Sequence, residues 1–158
     1  LKINVQAAAH LEKTPLESVR SKPLDQKPYW HVERARVGNT RKVPVELIVN
    51  GESVAKTEID ADGSVQPVSF NYKLERSSWV ALRIFPAAHT NPVFVEVDGK
   101  PIRASKRSAQ WCLKAVDVCW NSKKGNIRKE EQEAAAAAYE KARQAYRAIL
   151  AESFDDTK

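Results

Sequence analysis

The hydrophobic period of this chain changes at residue 104, and no single regular element type accommodates both halves. Up to residue 103 apolar residues recur at every second position. In LKINVQA, Leu1, Ile3 and Val5 alternate with Lys2, Asn4 and Gln6, the pattern of a strand with one buried face. Val43, Val45, Leu47 and Val49 repeat it, and Asn50-Gly51 follows. That dipeptide supplies two positive φ angles, so a β-hairpin with a type I′ turn is expected. Val68, Phe70, Tyr72 and Leu74 form another alternating run, ahead of WVALRIF and VFVEV. HVERARV, residues 31–37, reads as a charged and less regular strand. Turns are expected at Asp62-Gly63 and Asp98-Gly99. Seven or eight strands without intervening helical periods predict an immunoglobulin-like antiparallel β-sandwich over 1–103. Residues 11–29, with three prolines and little periodicity, read as a long connection.

From residue 104 the period is helical. Ser105 is a candidate N-cap for KRSAQWCLKAVDVCWNS. Arg107, Gln110, Lys114, Asp117 and Asn121 make one narrow polar stripe, so most of this helix is expected to be buried. Gly125 breaks the chain, and EEQEAAAAAYEKARQAYRAILAES follows without Gly or Pro. A C-terminal two-helix hairpin over 104–158, packed on the sandwich as one compact unit, is the expected outcome. WVALRIF is apolar on both faces, which suits a central strand covered twice. Arg83 interrupts one of those faces and needs a partner, with Asp117 or a backbone carbonyl as the candidates.

Charge excludes little but argues against nucleic acid. The chain has 158 residues and net charge +6, with +3 in residues 1–103 and +3 in 104–158. A nucleic-acid binder usually gathers its charge in one patch. No apolar run approaches the length of a membrane span, and no signal peptide is visible. The chain begins at Leu1 and contains no Met, which points to a piece of a longer protein. Cys112 and Cys119, seven apart on one helix, are too far apart for a mutual disulfide.

Candidate chemistry is sparse. His10, His31 and His89 show no metal-ligand spacing, and no phosphate loop or nucleophile elbow occurs. Asp60 and Asp62 read as a polar hairpin tip. No catalytic residue and no metal ligand is assigned. AAHTNP, residues 87–92, reads as a corner between two core strands. There His89 pins the turn, Thr90 and Asn91 satisfy backbone, and Asn91 before Pro92 is held extended. Trp79 reads as core. Tyr29 and Trp30, after the proline-rich connection, are the candidates for a ligand or domain contact. An enzyme using His89 would need a carboxylate beside it, such as Glu96 or Asp98.

SSWVALRIFPAAHTNPVFVEVDGKPI resembles the region near the C-terminal end of CehA/McbA-type metallohydrolases, which carry a polymerase-and-histidinol-phosphatase (PHP) catalytic domain followed by a β-rich region. The matching residues are Ser77, Trp79, Ala81 and Arg83, then Ala88 to Val95. RSKPLDQKPYWHVERARVGNTRKVPVELIVNG and RSAQWCLKAVDVCW are similar to a subgroup with a helical tail, so the resemblance spans roughly residues 20–152. It implies that Trp79, Arg83, His89, Thr90, Asn91 and Pro92 form a structural motif. It further implies that the metal ligands lie upstream of Leu1 and that this chain holds no cofactor. The expected function is a non-catalytic accessory domain whose partner is the upstream catalytic domain. The alternative is a carbohydrate- or cell-wall-binding module. The compartment is not fixed; the resemblance is compatible with a secreted or periplasmic protein.

Overall fold

The computed structural model describes residues 1–155. The chain divides into two compact units, 1–100 and 101–158. The first contains two antiparallel sheets and the second a helical pair.

In the first unit, β1 (Lys2–Ala7) pairs with β4 (Gln66–Asn71) as a two-stranded sheet. β2 (Lys42–Val49) and β3 (Glu52–Asp60) form the expected hairpin, with Asn50 at φ 52° and Gly51 at φ 99°. β5 (Ser78–Ile84) pairs with β2 on one side. Two short strands, β6 (Ala88–His89) and β7 (Val93–Val95), pair with it on the other. The inward residues of both sheets share one core. Val43, Val45, Leu47, Val49, Val80 and Leu82 come from the larger sheet, and Val68 and Phe70 from the smaller. Period-two alternation therefore sets which face of β1, β2, β4 and β5 turns inward.

The region 31–37 is not a strand. Val32–Ala35 forms a 3-10 turn, capped by His31, whose Nδ1 accepts from the Glu33 amide. The physical reason is charge. One such turn brings residues i and i+3 together, and here it joins the side chains of Glu33 and Arg36 in a buried fork. Arg36 also donates to the carbonyls of Thr40 and Glu12. An extended chain would place these charges on opposite faces of a sheet. The preceding connection is also more ordered than expected. It contains a short helix, α1 (Glu17–Arg20), and its next part folds around Arg34. That guanidinium donates to the carbonyls of Lys22, Pro23, Gln26 and Pro28 at 2.7–3.0 Å.

In the second unit, α2 (Lys106–Lys123) begins at Ser105, whose hydroxyl accepts from the Ser108 amide. It stops at Lys123, and Gly125 lies in a 3-10 turn beyond it. α3 (Gln132–Glu152) packs back along it. Trp120 and Tyr139 meet at 5.0 Å between ring centroids. Arg143 of α3 reaches Asp117 of α2 at 2.7 Å. The heavy burial expected of α2 is not found: among its described residues Ala109 alone is buried, and Trp111 and Val118 are 71% and 70% exposed. A helix ringed with apolar residues covers only one flank when a single helix packs on it.

Candidate surface site on the five-stranded sheet

The corner at AAHTNP is a strand reversal followed by a bulge. The reversal lies between Ile84 and Ala88, which pair directly, with the Ala87 amide donating to the Ile84 carbonyl at 2.7 Å. Beyond it, Arg83 pairs with His89 and Val80 with Val93. Two residues of β5, Leu82 and Ala81, thus oppose three on the edge, Thr90, Asn91 and Pro92. One residue is extra, which is a β-bulge. Thr90 bridges it. Its amide donates to the Leu82 carbonyl at 2.9 Å, and its hydroxyl accepts from the Leu82 amide at 3.1 Å. His89 lies at 2.9 Å, through Nδ1, from the Thr90 carbonyl. A carbonyl only accepts, so Nδ1 is the donor in this contact.

The opposite end of β5 is held by the hairpin tip. The Asn50 amide donates to the Trp79 carbonyl at 3.0 Å, and Asn50 Oδ1 accepts from the Trp79 amide at 3.1 Å. Asn50 Nδ2 also donates to Ser78 Oγ at 3.0 Å. The indole of Trp79 lies beside Gly51, whose φ of 99° favours glycine.

These two anchors fix an open groove of about 610 Å³ on the outer face of the sheet. Trp79, Ala81 and Arg83 of β5 form its floor, with Phe85, His89 and Phe94 among its walls. Phe94 stands directly opposite Trp79 in the ladder and is 68% exposed. Five of the six motif residues therefore belong to one surface: Trp79, Arg83, His89, Thr90 and Pro92 all line it, and Asn91 sits in the bulge. β5 is thus buried on the Val80–Leu82 side and bears an open groove on the other.

Arg83 finds its partner within the sheet, and it is neither Asp117 nor a carbonyl. Its Nε donates to Glu46 Oε2 at 2.6 Å, across the β2–β5 register pair. Its guanidinium lies over the Phe85 ring, 5.2 Å from the centroid. Burial pushes the Glu46 carboxyl up, but hydrogen bonds from Arg83 and Ser53 outweigh it and leave it below the ordinary carboxylate value. Glu46 and Phe94 were not singled out by the sequence. The useful signal is register, because only the pairing of β2 with β5 sets Glu46 against Arg83.

The other candidates stay apart. His10 forms a bridge with Asp62 and lies 3.2 Å from Arg41, while His31 caps the 3-10 turn. Asp62 Oδ1 accepts from the Ser64 hydroxyl and amide, which holds its carboxyl below the usual range. Among the described residues, no three or more His, Cys, Asp or Glu side chains are grouped to hold a metal. No hydrogen bond among the described residues joins His89 to Glu96 or Asp98. Tyr29 and Trp30 are both exposed, but their rings meet edge to face at 64° with centroids 5.9 Å apart. Cys112 and Cys119 are free thiols, and Cys119 Sγ lies 3.2 Å from the Tyr139 hydroxyl. No described helix is long and apolar enough to cross a membrane.

No protein-family model matches the chain, and no curated protein or solved structure matches it either.

Proposed function

We propose that the chain is a non-catalytic accessory module of a PHP-type metal-dependent hydrolase, packing against and orienting its catalytic domain. The observation that carries this reading is the apolar surface of the helical pair. Trp111 and Val118 stand in the open, and a groove of about 400 Å³ runs between α2 and α3 past Trp111, Ala115, Ala142 and Tyr146. A continuous apolar surface of this kind marks an interaction site. A partner domain within the same polypeptide meets it at high effective concentration. The reading takes the two antiparallel sheets as an immunoglobulin-like sandwich, supported by their shared core. The carbohydrate-platform alternative draws no support from Tyr29 and Trp30, whose crossed rings offer no flat stacking surface.

The test fuses a PHP-type catalytic domain ahead of Leu1 and compares it with the chain alone. Amide exchange in residues 111–119 slows in the fusion, and Trp111→Glu abolishes that protection. The chain alone, loaded with zinc or manganese, leaves phosphate and carboxylic esters intact. Metal-dependent ester hydrolysis by the isolated chain overturns the reading.

A further inference from the structure

We propose that the groove on the outer face of the five-stranded sheet binds a small ring-bearing carboxylate, with its ring against Trp79, Phe85 and Phe94 and its carboxylate on the Nη groups of Arg83. This concerns a surface other than the α2–α3 face and does not rest on the accessory reading.

Size and chemistry both select this class. About 610 Å³ falls within the range of small-molecule sites, which are apolar clefts carrying a few fixed polar groups. Apolar residues supply most of this lining, and Trp79, Phe85 and Phe94 are the large ones among them, so the body of the ligand is apolar and flat enough to stack. Arg83 supplies the donors. Its Nε is committed to Glu46, and no further partner of its Nη groups occurs among the described residues. A planar fork with free ends matches two coplanar acceptors, which a carboxylate offers and an amide or a hydroxyl does not. Contact with Phe85 and the bond to Glu46 hold the guanidinium in place, so little freedom is lost when a ligand docks. The net charge of +6 does not repel an anion.

The edge beside the groove argues against an added peptide strand. β6 and β7 are interrupted by the bulge and by Pro92, features that discourage strand addition. An occupant therefore lies on the face. His89 Nε2, left free by the bond from Nδ1 to the Thr90 carbonyl, adds one polar contact within the groove.

The experiment titrates the full chain with 3-phenylpropionate and, separately, 3-phenylpropionamide, following the Trp79 indole and Arg83 Nε–H signals by NMR. The carboxylate is expected to bind at least about tenfold tighter than the amide. The double variant Arg83→Gln/Glu46→Gln, which leaves no charge unpaired, removes that preference and keeps the amide affinity. Phe94→Ala weakens both ligands, and its exposed position keeps the fold intact. Equal binding of acid and amide overturns the proposal, as does an absence of shifts in the groove at millimolar ligand. Binding of chitotriose in preference to 3-phenylpropionate overturns it too and makes the site a sugar site.

Discussion

Thr90 and Leu82 complete their part of the ladder with one main-chain and one side-chain bond. The Thr90 amide donates to the Leu82 carbonyl, and the Thr90 hydroxyl accepts from the Leu82 amide. Where the bulge takes the edge strand out of register, a side-chain oxygen stands in for the backbone carbonyl that an unbroken strand would supply. Leu82 is buried, so its amide has no access to water as a substitute.

Thr90→Val therefore leaves a buried N–H without an acceptor while preserving shape. A loss of about 1–3 kcal/mol is expected, with Thr90→Ser losing far less. Urea unfolding followed by circular dichroism measures both. Equal stability of Val and Ser at this position would show that the hydroxyl contributes nothing.

Asn50 combines a left-handed φ of 52° with side-chain bonds to the Trp79 amide and Ser78 hydroxyl. Asn50→Gly keeps the backbone angle and loses the bonds. Asn50→Ala loses the bonds and adds strain of about 1 kcal/mol. Asn50→Asp retains the acceptor for the Trp79 amide. The expected order of melting temperature is wild type, Asp, Gly, Ala. Calorimetry checks it, and an Ala variant as stable as Gly contradicts the role of φ.

The strands were legible where alternation and turn chemistry agree. Val43 to Val49 followed by Asn50-Gly51 is a hairpin on both counts, and Ser105 announces α2 as a cap. Residues 31–37 were misread because alternation says nothing about where charged side chains find partners. Glu33 and Arg36 are joined only if the chain coils, and their charge-assisted hydrogen bonds outweigh weak strand propensity. The burial of α2 was misread for a related reason. An apolar circumference shows what a helix can bury, and here one neighbouring helix covers part of it.

Arg34 gathers four carbonyls from residues 22–28 around one guanidinium. Arg34→Gln removes most of these donors and has little effect on the core, since the carbonyls are on exposed backbone. Amide exchange across residues 24–29 is expected to accelerate at least about tenfold, in keeping with the loss of several charge-assisted bonds. Exchange in β2 and β5 stays unchanged. Unaltered exchange in this loop would mean that its prolines alone set its shape.

The groove was half legible. The AHTNP motif drew attention to His89 and Thr90, and the corner reading anticipated a hydrogen bond from His89. The motif could not show that Thr90 works through a bulge, because the extra residue emerges only when both edge strands are set against β5. Phe94 and Trp79 are fifteen positions apart and become direct neighbours by that same pairing. Glu46 is further still from Arg83, on a strand that pairs across the sheet.

Glu33 and Arg36 are both buried, and their fork is joined by Arg36 Nη2 donating to Glu33 Oε2 at 2.8 Å. The hydrogen bond from Arg36 holds the Glu33 carboxyl below its ordinary value of 4.5 against the opposing effect of burial. A depressed folded-state pKa means that the unfolded chain takes up the proton first as the pH falls. The contribution of Glu33 is therefore complete above about pH 4.5 and is lost as the pH drops through the lower folded value. Glu33→Gln strands a buried guanidinium and is expected to cost about 3–5 kcal/mol at neutral pH. It also flattens the acid limb of the stability profile. Replacing both partners, as in Glu33→Leu/Arg36→Met, recovers much of that loss because no lone charge stays behind. Stability measured by urea unfolding between neutral pH and pH 3 separates the cases. A Glu33→Gln profile that still falls steeply with acid would assign the sensitivity to other carboxylates.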